Sequence, residues 1–291
     1  MSIDPRTIMT IDVEEWFHGH NYLEQVPPER WDTLESRVRK GTDLCLEMLA
    51  EHGVTATFFT LGWTATRCPE VVRAIVAAGH EVACHSYSHP VVFTMSPEEF
   101  RADTLRAREA LAAAGVGDVQ GYRAPSFSIT PPVHHYLDIL AECGFRYDCS
   151  FFPVRHPRYG QPGSPRRPYR LRDTPESLIE VPMPTWRCLG QNVPFSGGGY
   201  LRLLPWPAFR ALRAMARRQG IPCIVYLHPW EMDDFKPQVG LSTANSLRSQ
   251  GGQATMPRKV KRILAEGGPF ETMGQYVARL RADAALPVGA A

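Results

Sequence analysis

The sequence predicts an α/β fold in which parallel strands and helices alternate around one barrel-like core. Short apolar runs typical of buried strands alternate with segments whose apolar residues recur at helical spacing. This alternation favours parallel strands joined by helical crossovers. The length of 291 residues and the 44% hydrophobic content fit one such unit, since α/β barrels run to roughly 250 residues.

Each predicted element is bounded by local start and stop signals. We predict strands at residues 7–11, 56–61, 81–84, 121–123, 178–181 and 222–227, and helices at residues 36–52, 69–78, 96–114, 134–143 and 205–219. Ser96, Pro97 and Glu99 form a capping box at one helix start, and Gly53, Gly79, Gly115 and Gly144 are predicted to end four of the helices. We expect one domain over residues 1–281 and a flexible tail of small residues over 282–291.

The composition argues against several classes of protein. The net charge of +2 gives no nucleic-acid footprint, and the basic stretches at 166–167, 217–218 and 258–262 are interpreted as solvated surface. No apolar run approaches the roughly 18 residues of a transmembrane helix, and no signal peptide is visible. The seven scattered cysteines fit a reducing compartment, so we expect a cytoplasmic protein whose oligomeric state stays open.

Ionisable residues follow five of the predicted elements, at points where strands end. In parallel α/β barrels the functional groups lie at the carboxyl ends of the strands. A mixture of acids, imidazoles and a guanidinium is what metal-assisted hydrolysis requires. The residues are Asp12 and Glu14, His85 and His89, Arg123, Asp148, and His228.

The two histidines that follow the third strand are candidate metal ligands. His85 and His89 lie four residues apart, and with a carboxylate they make an open three-ligand site that leaves room for water and substrate. Asp12 and Glu14 lie two residues apart, so on an extended backbone both point to the same face. One of these acids is expected to bind the metal while the other takes a proton from water.

The remaining polar groups fit acid–base roles. Arg123 is expected to hold the basic carboxylate ionised and oriented, and His228 to protonate a leaving amine. Asp148 is expected to orient His228 and to raise its pKa. The backbone N–H of Ser126, which follows Pro125, is expected to help bind an oxyanion.

Five motifs in this order resemble those of the polysaccharide deacetylases, the NodB-homology group known as carbohydrate esterase family 4. They span about residues 7–230, and they are Thr10-Ile11-Asp12-Val13-Glu14, His85-Ser86-Tyr87-Ser88-His89, Arg123-Ala124-Pro125-Ser126, Asp148 and Leu227-His228. The stretches at 197–205 and 226–231 look more narrowly like the deacetylases encoded with bacterial exopolysaccharide and exosortase loci.

The resemblance implies a distorted (β/α)7-type, NodB-like barrel that removes an N-acetyl group from an amino sugar. It also implies a divalent metal, most often zinc, held by an acid together with His85 and His89. Carried over residue by residue, Asp12 is the base tethered by Arg123, and His228 is the acid steered by Asp148. The family's usual metal-binding aspartate falls on Val13, so Glu14 is assigned as the third ligand, and Asp12 and Glu15 stay open.

The sequence leaves alternative interpretations open for three residues and for the function of the whole chain. Trp16 and Trp230 are candidates for stacking on a sugar, with core or rim packing as the equal alternative, and His18 is expected in a solvated loop. The alternative functions are hydrolysis of another C–N bond, such as a ureide or formamide on a small molecule, and a catalytically silent carbohydrate-binding protein.

Overall fold

The chain is built around one curled sheet, seen in a computed structural model that describes residues 6–156, 159–174, 176–283 and 285–289. The start of the predicted domain and residues 284, 290 and 291 of the predicted tail lie outside the described residues. The strands are β1 (Thr7–Val13), β2 (Thr57–Thr60), β3 (Glu81–Cys84), β4 (Gly121–Tyr122), β5 (Tyr147–Asp148), β6 (Tyr169–Arg170), β7 (Ile179–Glu180), β8 (Thr185–Cys188), β9 (Gln191–Pro194) and β10 (Cys223–Leu227).

Eight of these strands pair in the order β10-β1-β2-β3-β4-β5-β7-β6, and β8 pairs with β9 in a separate hairpin. Seven strands of the sheet run parallel, and β6 is antiparallel to β7. Strand β10, from the last third of the chain, pairs with β1 from its beginning, with Ile11 opposite Leu227. The predicted α/β barrel with seven parallel strands is confirmed.

Ten α-helices are found in the described residues. They are α1 (Val38–Glu51), α2 (Gly62–Arg67), α3 (Pro69–Ala77), α4 (Pro97–Ala113), α5 (Tyr136–Glu142), α6 (Gly198–Leu203), α7 (Trp206–Arg218), α8 (Thr243–Gln250), α9 (Met256–Glu266) and α10 (Met273–Ala282). The predicted capping box of α4 is present, since Ser96 accepts from the backbone of Glu99 and Glu99 accepts from the backbone of Ser96. In the described part of the chain no helix is long and apolar enough to span a membrane.

The alternation of side chains along β1 separates the two layers of the core. Met9, Ile11 and Val13 pack into the larger apolar cluster with side chains from helices α1 to α5, whereas Ile8 belongs to a second cluster with residues of β7 and β10. Because side chains on a strand alternate between faces, Asp12 lies on the same face as Ile8. The sheet therefore directs this carboxylate to its inner side, at the end of the strand.

The structure adds elements that the sequence pattern did not predict. The unpredicted elements are strands β5 and β6, the β8–β9 hairpin, and helices α2, α6, α8, α9 and α10. Part of the predicted tail is also packed, because the backbone of Arg170 in β6 exchanges hydrogen bonds with Pro287 and Gly289. The two edge strands of the sheet gain single bridge partners, because Gly197 pairs with Tyr226 of β10 and Val288 pairs with Arg170 of β6.

Candidate active site

The strand ends surround a cavity of about 730 Å³. Its floor holds the ionisable side chains predicted from the ends of β1, β3 and β10, and its walls carry many aromatic rings. The floor residues are Asp12, Glu14, His85, His89 and His228, and the aromatic lining is Tyr22, Phe93, Phe127, Tyr159, Tyr200, Tyr226 and Trp230.

Glu14, His85 and His89 form a group that could hold a metal ion. One ligand atom from each lies within 4.8 Å of the others, and the Nε2 atom of His89 is 3.0 Å from a carboxylate oxygen of Glu14. Nδ1 of His85 lies 2.7 Å from the carbonyl oxygen of Arg123, so Nδ1 carries the proton and Nε2 stays available as a ligand.

The protonation states of this group suit metal binding. Burial alone would raise the pKa of Glu14, but the imidazoles of His89, His228 and His85 lower it well below its ordinary value. Burial lowers the pKa of His85 to about 4, and the nearby carboxylates only partly offset this. At neutral pH the site therefore offers a carboxylate and a neutral imidazole, which are the ligand forms a divalent metal requires.

Hydrogen bonds to the start of α1 separate Glu15 from the candidate metal ligands. Both oxygens of Glu15 accept from the backbone N–H of Arg37 at 3.0 Å, and one also accepts from the Ser36 hydroxyl and the Val38 N–H. Glu15 therefore stabilises the start of α1, where backbone N–H groups lack helical partners. Only Glu14, of the two neighbouring glutamates, is directed toward His85 and His89.

Asp12 is held by a buried guanidinium. Nη1 of Arg123 lies 2.6 Å from Oδ1 of Asp12 and 3.0 Å from the hydroxyl of Thr10, and the guanidinium also stacks 4.0 Å from the ring centre of Phe59. Burial lowers the pKa of Arg123, but Asp12 and Cys149 more than offset it, so the guanidinium keeps its proton. The tether between Arg123 and Asp12 that the sequence predicted is present, and it orients the carboxylate toward the cavity.

His228 is oriented by a carboxylate that the sequence analysis missed. Its Nδ1 lies 3.0 Å from Oε2 of Glu231, which also accepts from the backbone N–H of His228 at 2.8 Å. The other oxygen of Glu231 is paired with Arg202, which is also buried. The ring of Trp230 stacks on the imidazole with centroids 5.1 Å apart. This arrangement leaves Nε2 of His228 facing the cavity.

The charges around His228 favour its protonated form. Burial lowers its pKa, but Glu231, Glu14 and Asp12 outweigh burial and raise the pKa to about 9. Burial raises the pKa of Glu231, while Arg202 and His228 lower it to about 2. Nε2 of His228 lies 3.7 Å from Oε1 of Glu14, so a proton donor stands directly beside the metal-ligand group.

The predicted role of Asp148 beside His228 is wrong. Asp148 instead accepts from the hydroxyl of Ser150 at 2.7 Å and from its backbone N–H at 3.0 Å, and it shares a buried contact with Glu180. The Ser150 hydroxyl in turn accepts from the N–H of Ala124 at 2.7 Å. Asp148 therefore supports the loop that follows Arg123, and Glu231 takes the position beside the imidazole.

The loop after Arg123 has an unusual backbone. Ser126 has φ 52° and ψ 25°, and Phe127 has φ 53°, which places two consecutive non-glycine residues in the left-handed region. Such conformations are costly and often occur at functional sites. Both residues line the cavity, so the predicted oxyanion-binding segment at Ser126 lies at the site.

The three aromatic and histidine predictions, for Trp230, Trp16 and His18, have different outcomes. Trp230 lines the cavity as predicted, whereas Trp16 is only 5% exposed and packs edge-on against Phe17 and Tyr22. His18, expected in a solvated loop, is fully buried among aromatic rings, and burial lowers its pKa to about 3. The segment after Glu15 thus forms an apolar wall behind the site.

Two family models match successive parts of the chain. A model described as polysaccharide deacetylase matches residues 31–147, and a model described as a domain of unknown function, DUF3473, matches residues 149–278. Residues 31–147 are therefore similar to the polysaccharide deacetylases. The family segment contributes His85, His89 and Arg123, whereas His228 and Glu231 lie in the segment matched by the model of unknown function.

Curated relatives of this family match only part of the chain. A peptidoglycan-N-acetylglucosamine deacetylase of Bacillus cereus is 36% identical over 97 residues, which is 33% of this chain and 33% of the relative. A chitooligosaccharide deacetylase of Bradyrhizobium is 41% identical over 69 residues, which is 24% of this chain and 32% of the relative. The chain therefore spans about a third of the length of these relatives.

Solved structures of family members share the fold over nearly the whole chain. A structure described as a putative polysaccharide deacetylase from Mycobacterium smegmatis has a TM-score of 0.68 at 23% identity, covering 100% of this chain and 95% of that one. A family 4 carbohydrate esterase from Streptomyces lividans, solved with acetate, has a TM-score of 0.50 at 17% identity and covers 92% of each chain. At these identities the likeness establishes the fold.

Proposed function

We propose that this chain is a metal-dependent hydrolase that removes N-acetyl groups from an N-acetylated amino sugar of an exopolysaccharide or its precursor. The observation that carries this proposal is the position of His228, whose Nε2 lies 3.7 Å from Glu14 of the metal-ligand group. An acid, a base and an open metal site around one cavity are the parts that amide hydrolysis requires. The named activities of the Bacillus and Bradyrhizobium relatives support the substrate class.

Zinc is the ion we propose for this site. The donor set of one carboxylate and two imidazoles is the kind that catalytic zinc uses, with a coordination position left for water. The carbonyl oxygen of Arg123 fixes the ring of His85, as outer partners of metal-binding histidines commonly do. When bound, the ion would supply Lewis-acid activation of a water molecule and of the acetyl carbonyl.

The residues of the chain then carry the proton transfers. Asp12, fixed through one oxygen by Arg123, takes a proton from the attacking water. The backbone N–H at Ser126 donates to the oxyanion that forms on the acetyl oxygen when water adds to the carbonyl carbon. His228, charged below a pKa of about 9, gives its proton to the departing amine. Acetate and a free amino sugar leave the cavity.

The cavity fits a short saccharide. Its volume of about 730 Å³ lies within the roughly 300–1,000 Å³ of typical ligand sites. Tyr22, Phe127 and Trp230 line the cavity with aromatic carbon, against which the apolar faces of a pyranose pack. These rings support a sugar as the substrate rather than a small ureide or formamide.

The test is acetate release from N-acetylglucosamine oligomers and from an N-acetylated exopolysaccharide, measured on protein as purified, after EDTA, and after zinc is restored. We expect turnover that EDTA abolishes and zinc recovers. Asp12→Asn and His228→Ala are expected to lose turnover while retaining bound metal, whereas His85→Ala is expected to lose both. Sugar binding with no acetate release under any of these conditions would leave the silent carbohydrate-binding alternative, and normal turnover by His228→Ala would exclude the acid assigned here.

A further inference from the structure

Positive charge is concentrated in one part of this chain. The whole sequence has 32 Lys and Arg against 30 Asp and Glu, but residues 181–265 contain twelve Lys and Arg against three Asp and Glu. Those three acids are all ion-paired, because Glu231 contacts Arg202, and Asp233 and Asp234 contact Lys40. Little acidic charge from this segment is therefore left to balance the remaining cations.

The cations meet on one surface because α7 and α9 pack side by side. The guanidinium of Arg262 lies 5.6 Å from the ring centre of Trp206, and one turn further along Arg210 lies 3.3 Å from Glu266. Contacts at matching turns make the two helices parallel neighbours. The exposed cations on either side of this seam are Arg210, Arg217 and Arg218 on α7, and Arg258, Lys261 and Arg262 on α9.

The β8–β9 hairpin and the loop before β6 extend the same surface. The side chain of Gln219, at the end of α7, donates to the carbonyl of Arg187 in β8 at 3.1 Å. Its backbone carbonyl accepts from the guanidinium of Arg167 at 2.7 Å. Arg167 and Arg187 are exposed, so they add two cations beside the end of α7. We call this whole surface, formed by α7, α9, Arg167 and the hairpin, the basic face.

Folding explains only some of these charges. Arg217 and Arg218 lie in the last turn of α7, where the helix dipole favours cations. Lys259 donates to the carbonyl oxygens of Leu201, Arg202 and Leu204, which have few other partners at the end of α6. Arg258, in contrast, lies in the first turn of α9, where the helix dipole disfavours a cation. Its place on the basic face has no folding benefit.

The tip of the hairpin carries a second feature that folding does not explain. Leu189 and Gly190 form a two-residue turn in which both residues have positive φ, 47° and 77°. Asn-Gly is favoured in such turns, because a side chain in the left-handed region costs about 1–2 kcal/mol. Leu189 is nevertheless leucine and is 98% exposed, so no packing within the chain offsets this cost.

We propose that the basic face docks this protein on an anionic lipid bilayer, with Leu189 inserted among the lipids. Cationic side chains are attracted to anionic lipid headgroups, and the exposed leucine gains an apolar environment only if its partner has an apolar interior. An acidic polysaccharide or a nucleic acid would pair with the arginines but would leave Leu189 in water. The basic stretches at 217–218 and 258–262, expected from sequence to be simply solvated, then belong to an interaction surface.

The experiment is cosedimentation of the full chain with vesicles of phosphatidylcholine containing 30% phosphatidylglycerol, compared with phosphatidylcholine alone. We expect binding to the anionic vesicles only, weakening as salt rises. Arg218→Glu with Arg258→Glu is expected to weaken binding at least about tenfold, since each cation near the surface contributes about 1 kcal/mol. Leu189→Asn suits the turn, so it should keep or raise the melting temperature while weakening vesicle binding about five- to tenfold.

The matched control is Arg30→Glu with Arg73→Glu, which changes the net charge equally but alters exposed residues outside the basic face. This control is expected to bind vesicles like the parent, and all variants should retain acetate release from a soluble oligosaccharide. The proposal is overturned if the parent does not bind anionic vesicles at low salt, or if the control loses as much binding as the variant. The proposal is also overturned if Leu189→Asn binds vesicles as well as the parent does and both proteins are retained equally strongly on dextran sulfate. The basic face would then recognise polyanions in general.

Discussion

The Oε2 atom of Glu231 lies 3.0 Å from Nδ1 of His228 and also accepts the backbone N–H of the same residue. This double contact fixes the imidazole ring with Nε2 toward the cavity, and the buried Arg202 holds Glu231 in place. Carboxylate partners of this kind set the orientation, the tautomer and the pKa of a histidine. Glu231 is therefore a positioning residue for the proposed general acid.

We predict that Glu231→Gln shifts the basic limb of the pH–rate profile toward acid pH. The negative charge of Glu231 raises the pKa of His228, so its removal lowers that pKa from about 9 toward the ordinary value. The imidazole then loses its proton at lower pH and can no longer protonate the amine. At pH 8 we expect kcat to fall at least about tenfold, out of the roughly 100-fold or more that a general acid contributes.

The matched control for this variant is Glu266→Gln, which alters an exposed ion pair with Arg210 away from the cavity. Its pH–rate profile is expected to coincide with that of the parent. A Glu231→Gln profile that falls uniformly at all pH values, without a shift of the basic limb, would assign Glu231 a purely structural role.

Glu14 and Glu15 provide a second prediction, because neighbouring residues of the same type have different partners. Glu14→Gln should reduce zinc affinity at least about tenfold, since even outer partners of metal ligands contribute about 10–100-fold. Glu15→Gln should leave zinc affinity unchanged but lower the free energy of unfolding by about 1–3 kcal/mol, because Glu15 accepts hydrogen bonds at the start of α1.

Metal affinity is measured by competition with a chromophoric chelator, and stability by urea unfolding of metal-free protein. Each variant is the control for the other, since both replace one carboxylate by an amide of equal size. A loss of zinc affinity in Glu15→Gln alone would reassign the third ligand and move Glu14 to a supporting role.

The sequence predicted those parts of the fold that depend on local pattern. Alternation along β1, the capping box at Ser96 and the metal-site spacing of His85 and His89 are all local features, and each is present in the structure. The cytoplasmic location, which was inferred from the scattered cysteines, is not a structural feature and stays a prediction. Turn residues and apolar neighbours mark the short strands β4 and β7, which were predicted, whereas β5 was not predicted.

The error at Asp148 has a physical cause. Asp148 and Glu231 both lie at or just after the end of a strand. Only the three-dimensional structure shows which of the two acids reaches His228. A local signal did exist, because Glu231 lies three residues after His228 at the start of a turn, as in a capping box. Arg202, in contrast, reaches the site from α6, and no sequence spacing relates it to His228.

The last prediction concerns the buried acids that support the Ser126 loop. Burial raises the pKa of both Asp148 and Glu180, and the proximity of the two carboxyl groups raises that of Glu180 well above its ordinary value. An acid whose pKa is higher in the folded state stabilises the fold fully below its unfolded pKa, near 4.5 for Glu180, and this contribution is lost as pH rises toward the folded pKa. The contribution of Glu180 to the free energy of unfolding should therefore fall as pH rises above about 4.5.

Glu180→Gln removes this titration while keeping a neutral donor next to Asp148. We expect its free energy of unfolding, measured by urea titration at several pH values above 4.5, to depend less steeply on pH than that of the parent. The exposed Glu176→Gln variant is the control and should follow the parent. If the free energies of unfolding of the parent and of Glu180→Gln change in parallel with pH, Glu180 does not titrate with a raised pKa in the folded state. The support of the Ala124 N–H through Ser150 would then depend on an ionised Asp148 alone.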